Sequence, residues 1–155
     1  MEHAAVVGQL VGEVEGRLLA PLAALLDGYP EPEQARLRLC TRAEQWARQL
    51  LVGDPREAAS LAVHLVGLLY PSDAQPFDPP PSWWRTPVGR VVAYRLGHPT
   101  REAVPYPVAG AMLGVTRQAV HDLVARGKLV RHPEGGVRTE SVRDRLTSRP
   151  GTTGA

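Results

Sequence analysis

A chain of 155 residues with 43% hydrophobic and 22% charged content and a pI near 9 is long enough for one ordinary domain or two small ones. Its single cysteine, Cys40, excludes an internal disulfide and a cysteine-rich zinc site and suits a reducing compartment. The net charge of +2 hides a split: residues 1–81 carry six Arg against eleven Asp or Glu, a net of −5, and residues 82–155 carry twelve Lys or Arg against five acids, a net of +7.

The first residues do not read as a signal peptide, because Glu2 and His3 replace a basic start and Gln9 and Glu13 interrupt the apolar run. No uncharged stretch is long enough for a bilayer, so a cytoplasmic protein is expected. Residues 4–27 read as a helix with Val7, Leu10, Val11, Val14, Leu18, Leu22 and Leu25 on one broad face. Pro21 is expected to kink it or to start a second short helix. Gly8, Gly12 and Gly16 share one side, and each costs about 1 kcal/mol of helix propensity relative to Ala. Close approach of another helix would offset that, either within the chain or across a homodimer.

Residues 28–32 read as a loop, and a second helix runs from Glu33 to about Val52 with Leu39, Ala43, Trp46 and Leu50 inward. Arg38, Arg42 and Arg48 lie off that side, and Gly53 ends the helix. Asp54-Pro55 then launches a third helix to about Leu69. It is apolar nearly all round, so it is expected to be buried centrally or shared between subunits, with His64 as a core residue. Residues 71–81, with five prolines in PSDAQPFDPPP, read as an extended spacer between domains. Trp83 and Trp84 follow as packing anchors, stacking on a ligand or base being the other use. A helix from Thr86-Pro87 to Leu96, stopped by Gly97, should turn Val88, Val91, Val92 and Leu96 inward.

In residues 104–146 the pattern becomes specific. Ala109, Met112 and Leu113 form the stripe of a short helix that Gly114 stops. Thr116 is a natural N-cap for a second helix to about Arg126, with Val120, Leu123 and Val124 inward. Thr116, Arg117, Gln118 and His121 are left outside, and Asp122 is placed to pair with Arg126 at i, i+4. After Gly127, residues 128–131 alternate like a strand, 133–136 form a turn, and Val137-Arg138 return as the partner strand. Thr139 should cap a last helix with Val142 and Leu146 inward, and residues 147–155 read as a disordered tail.

Two short helices around a glycine turn, followed by a hairpin, make a helix-turn-helix with a wing. The run Ala109-Gly110-Ala111-Met112-Leu113-Gly114-Val115-Thr116-Arg117-Gln118, continued to Gly127-Lys128-Leu129, resembles the winged helix-turn-helix of MerR-type regulators and phage excisionases. The resemblance covers about a quarter of the chain. It departs from that pattern at Pro105, where Ser or Thr usually caps the first helix, and at Gly110, where Ala is common.

The resulting expectation is a mainly α protein: a helical dimerisation or partner domain over 1–70, the 71–81 linker, and a winged helix-turn-helix domain over 82–146. Its function would be sequence-specific binding of double-stranded DNA, as a dimeric transcriptional regulator. The alternatives are a protein-interaction adaptor and an excisionase-like factor that bends DNA. The start of a recognition helix reaches base edges, which suits Thr116, Arg117 and Gln118, with His121 one turn on. Arg126, Lys128, Arg131, His132 and Arg138 would neutralise phosphates, a solvated basic surface being their other reading. No nucleotide-binding loop, nucleophile elbow or zinc-protease motif is present, and the five histidines show no metal-ligand spacing. No catalytic residue, cofactor or metal is therefore expected.

Overall fold

The computed structural model describes residues 2–28, 32–71, 73 and 75–149. It is mainly helical with a small two-stranded antiparallel sheet, and it divides into two compact units, Met1–Pro71 and Ser72–Ala155. Among the described residues, no helix is long and apolar enough to cross a membrane.

In the first unit, α1 (His3–Val14) continues through a π-helical turn (Glu15–Leu19) into α2 (Ala20–Leu25). The cause is Pro21, which has no amide to donate. The wide turn, closed by the Ala20 amide on the Glu15 carbonyl, carries the helix past it. Val6 and Leu10 bury against α3 (Pro32–Val52), and the contacts His3–Glu44, near one end, and Glu15–Arg36, near the other, show the two helices to run antiparallel. The buried stripe of α3 is Leu39, Ala43, Ala47 and Leu50. Ala47 thus takes the inner place expected of Trp46, which is half-buried beneath the Arg42 guanidinium. Asp54 caps α4 (Pro55–Leu69) as expected, its carboxylate accepting from the amides of Arg56 and Glu57.

One further expectation fails in this unit, and another narrows. Helix α4 buries only the face of Ala58, Ala62, Leu65, Val66 and Leu69; Val63, His64 and Leu68 are exposed. His64 is therefore not a core residue, because so small a helical unit covers one stripe of α4 and leaves the other open. The glycine side of the first helix is also bare among the described residues of the first unit. A Cβ added at Gly8, Gly12 or Gly16 would meet nothing within 4 Å among the described residues, so no other helix of the first unit approaches closely there. The expected loop at residues 29–31 lies outside the described residues.

The second unit begins earlier than the spacer reading allows. Phe77 is buried against Trp83, Trp84 and His98, and its carbonyl accepts from the Thr100 hydroxyl at 2.6 Å. Asp78 faces both His98 and Arg101. Residues 77 and 78 are thus docked structure rather than open spacer, and Pro81 already belongs to α5 (Pro81–Trp84). Ser72 and Ala74 of the expected spacer lie outside the described residues. Thr86 caps α6 (Pro87–Leu96) by accepting from the Gly89 amide, and Gly97, at φ 70°, stops it. Trp84 is fully buried and Trp83 half-buried, in keeping with packing anchors.

Strand β1 (Ala103–Val104) precedes α7 (Tyr106–Leu113) and α8 (Arg117–Ala125); β2 (Val137–Arg138) then leads into α9 (Thr139–Ser148). The expected strand over 128–131 is replaced by a single bridge, Arg131 to Val137. The true partner of β2 is β1, antiparallel, with Ala103 opposite Arg138 and Val104 opposite Val137. Thr139 is not a cap. It is buried, and its hydroxyl donates back to the Arg101 carbonyl at 2.8 Å, while Arg138 occupies the cap position. Thr147 and Ser148, expected in the tail, complete α9, and residues 150–155 lie outside the described residues.

Candidate nucleic-acid interface

Helix α7 is the support of the site. Every residue from Val108 to Leu113 is buried, so the helix is enclosed on all sides within the second unit. Gly110 and Gly114 build the turn that follows. Gly114 sits at φ 69°, ψ 31°, the left-handed well that costs glycine little. A Cβ on Gly110 would come within 2.9 Å of the Val115 carbonyl, and the Val115 amide donates to the Gly110 carbonyl at 2.8 Å. A larger residue at 110 would push the turn away. The two glycines thus have different reasons: one for its torsions and one for space.

The Thr116 hydroxyl accepts from the Ala119 amide at 3.1 Å, which sets the first turn of α8. Val120 is fully buried and Leu123 and Val124 half-buried, so one side of α8 is anchored. Thr116, Arg117, Gln118 and His121 are all exposed. Arg117 and His121 stand one turn apart on the free side, as the helical period requires. Gly127, at φ 68°, ends the helix with the Lys128 amide on the Leu123 carbonyl at 2.8 Å. Leu129, buried, then pins the chain to the core before it turns outward.

The turn at 133–136 is closed by the His132 amide on the Gly136 carbonyl and the Gly135 amide on the His132 carbonyl, both at 3.0 Å. His132 is half-buried, and its Nδ1 accepts from the Glu134 amide at 3.2 Å. That leaves Nε2 as the nitrogen that can carry the proton of the neutral ring. Part of the role of His132 is therefore to hold its own turn. Arg131 and Arg138 flank the turn, both exposed, with the Arg138 amide on the Val130 carbonyl at 2.8 Å.

Among the described residues, Arg117, Arg126, Lys128, Arg131 and Arg138 have no carboxylate within 4.0 Å. The expected Asp122–Arg126 ion pair is absent too; those residues are joined only by the helix backbone, Arg126 amide to Asp122 carbonyl. Five exposed cations without a carboxylate partner among the described residues are available to an external anion.

Comparison with protein-family models, curated proteins and solved structures found no match.

Two residues of the site escaped the sequence reading. Ser141 joins the two sides of the turn from below: its hydroxyl accepts from the Val130 amide at 3.1 Å and donates to the Arg138 carbonyl at 2.8 Å. Tyr106, the first residue of α7, meets the His121 ring edge-on, with centroids 4.3 Å apart and planes at 66°. The only sequence signal for that pairing was an aromatic residue at the start of one short helix and a histidine on the outer side of the next. Chemically the site offers hydrogen-bond donors, forked guanidinium groups and an imidazole on a rigid frame. No group of three or more His, Cys, Asp or Glu that could hold a metal ion occurs among the described residues.

Proposed function

We propose that this chain is a sequence-specific double-stranded DNA-binding protein acting as a dimeric transcriptional regulator, its second unit being a winged helix-turn-helix of the kind its residues resemble. The observation that carries this reading is the outer side of α8. Arg117, Gln118 and His121 are exposed at the start of a helix whose other side is anchored by Val120. A recognition helix enters the major groove by that end. Arg117 offers a bidentate fork to guanine O6 and N7, and Gln118 a matching pair to adenine N6 and N7. Arg126, Lys128, Arg131 and Arg138 fix the register by neutralising phosphates, which carry no sequence information themselves. His132 supports the turn and presents its Nε2 beside them.

The first unit serves dimerisation. Leu18, Leu22, Leu25 and Leu26 are exposed along one helical run, the adjoining glycine side is bare, and α4 leaves Val63 and Leu68 uncovered. A unit this small with so much uncovered apolar surface gains from a partner. Two copies related by a two-fold axis would read an inverted repeat with half-sites about 34 Å apart, or a multiple of that. Selection of bound sequences from a random duplex pool tests the function: one enriched motif arranged as an inverted repeat is expected. A folded protein that enriches nothing from the pool at low salt would favour the adaptor reading.

A further inference from the structure

The outer side of α8 is not equally free along its length. Arg117 is exposed and without an ion-pair partner among the described residues, whereas the His121 ring meets the ring of Tyr106, 4.3 Å away between centroids. The ring pair links the start of α7 to the second turn of α8 across the glycine turn. Tyr106 is itself well supported. Prolines 105 and 107 flank it, and their fixed φ angles stiffen the backbone that carries the ring. The next residues, Val108 onward, are buried.

The consequence follows from imidazole chemistry. A neutral histidine presents one N–H donor and one bare nitrogen acceptor on opposite parts of its ring. Base edges in the major groove differ by where they place donors and acceptors. A freely rotating exposed ring can swap the two and discriminates poorly; a ring held in one orientation offers a defined pattern. We infer that Tyr106 is a positioning residue for base readout, holding His121 in one orientation so that base preference at the His121 position depends on the Tyr106 ring and not on its hydroxyl. This rests on the DNA-binding reading of α8.

The test compares the full chain with Tyr106→Ala, Tyr106→Phe and His121→Ala in selection from a random duplex pool. In parallel, the His121 ring-proton shifts are measured by NMR in the free proteins. Tyr106→Ala should remove the ring-current shift on His121 and flatten the same single base position that His121→Ala flattens, by about fivefold in discrimination. Tyr106→Phe should restore both the shift and the base preference. The inference is overturned if Tyr106→Ala leaves that position intact, if it erodes every position alike, or if Tyr106→Phe behaves as Tyr106→Ala. Should Tyr106→Ala fail to fold, Tyr106→Leu keeps bulk at the site without an aromatic edge and must give the same flattened position. A wild-type protein that enriches no motif would instead overturn the underlying DNA reading, and the NMR shifts would still report whether the two rings meet.

Discussion

Replacing Arg117 tests the proposed recognition of DNA separately from folding. Its side chain is exposed, it makes no ion pair within 4.0 Å, and it stands at the first position of α8, where Thr116 supplies the cap. Alanine is at least as good a helix former, so Arg117→Ala should move folding stability by no more than about 0.5 kcal/mol. If the guanidinium forks onto a guanine, the same change should cost about 1–3 kcal/mol of binding to the preferred site, roughly 5- to 150-fold in Kd. Arg138→Ala provides the contrast: removing a cation that would meet phosphate beside the turn should weaken all duplexes alike and reduce the salt slope by about one per module. Thermal melting gives the first quantity, and fluorescence anisotropy on the selected duplex and on single-base variants gives the second. A drop in melting temperature of several degrees would show that Arg117 is structural. An unchanged base preference would show that another side of the unit faces the groove.

Val120 is fully buried on the anchored side of α8, so Val120→Ala should cost about 2–3 kcal/mol of stability in the second unit, measured by denaturant unfolding. His98 should make that unit weaker in acid. Burial pushes its pKa down, Asp78 opposes the shift, and Arg101 adds to it. The fold therefore favours the neutral ring, so the contribution is complete above the ordinary histidine value near 6.5 and is lost as pH falls below it. Melting between pH 7.5 and 5.5 should fall more for the wild type than for His98→Gln; equal slopes would contradict the assignment. Gly12→Leu discriminates the two states of the first unit. With nothing within 4 Å of a Cβ there, leucine should raise helix stability by up to about 1 kcal/mol if the face is bare in solution, and should dissociate a dimer if the face is paired. Sedimentation of wild type and variant at tens of micromolar distinguishes these outcomes, and a wild-type monomer would remove the dimer.

The parts of the fold that were legible in the sequence are those set by local chemistry. Gly114 and Gly127 adopt the positive φ expected of helix-ending glycines, and Asp54, Thr86 and Thr116 cap the helices that follow them. The split of α8 into a Val120 side and an Arg117–His121 side follows directly from the 3.6-residue period. What the sequence hid was long-range. Strand β1 has two residues, too few to show an alternation, and its partner lies more than thirty positions on. Phe77 sits among five prolines that suggest a spacer, yet its ring fits against Trp83 and Trp84, and only the fold brings Thr100 to its carbonyl. His64 looked buried because its helix is apolar throughout, but a helix covers only as many faces as it has neighbours. Thr139 read as a cap because threonine before a helix often is one; the Arg101 carbonyl competed for its hydroxyl. In the candidate site, the exposure of Arg117, Gln118 and His121 was legible, whereas the edge-on contact of the Tyr106 ring with His121 was not.

The central claim is that the exposed cations around α8 meet the phosphates of duplex DNA, and salt dependence of binding tests it most directly. Arg126, Lys128, Arg131 and Arg138 are exposed and lack carboxylate partners among the described residues. Four phosphate contacts per module predict a slope of about −3 to −4 in log affinity against log salt, a loss on the order of a hundredfold between 50 and 200 mM. The full chain, bound as the proposed dimer with two modules engaged, should give about twice that slope, about −7, and a loss on the order of ten-thousandfold when titrated onto a labelled duplex over the same range. A folded chain whose binding is flat with salt, or that binds no duplex at the lowest salt, would contradict the account.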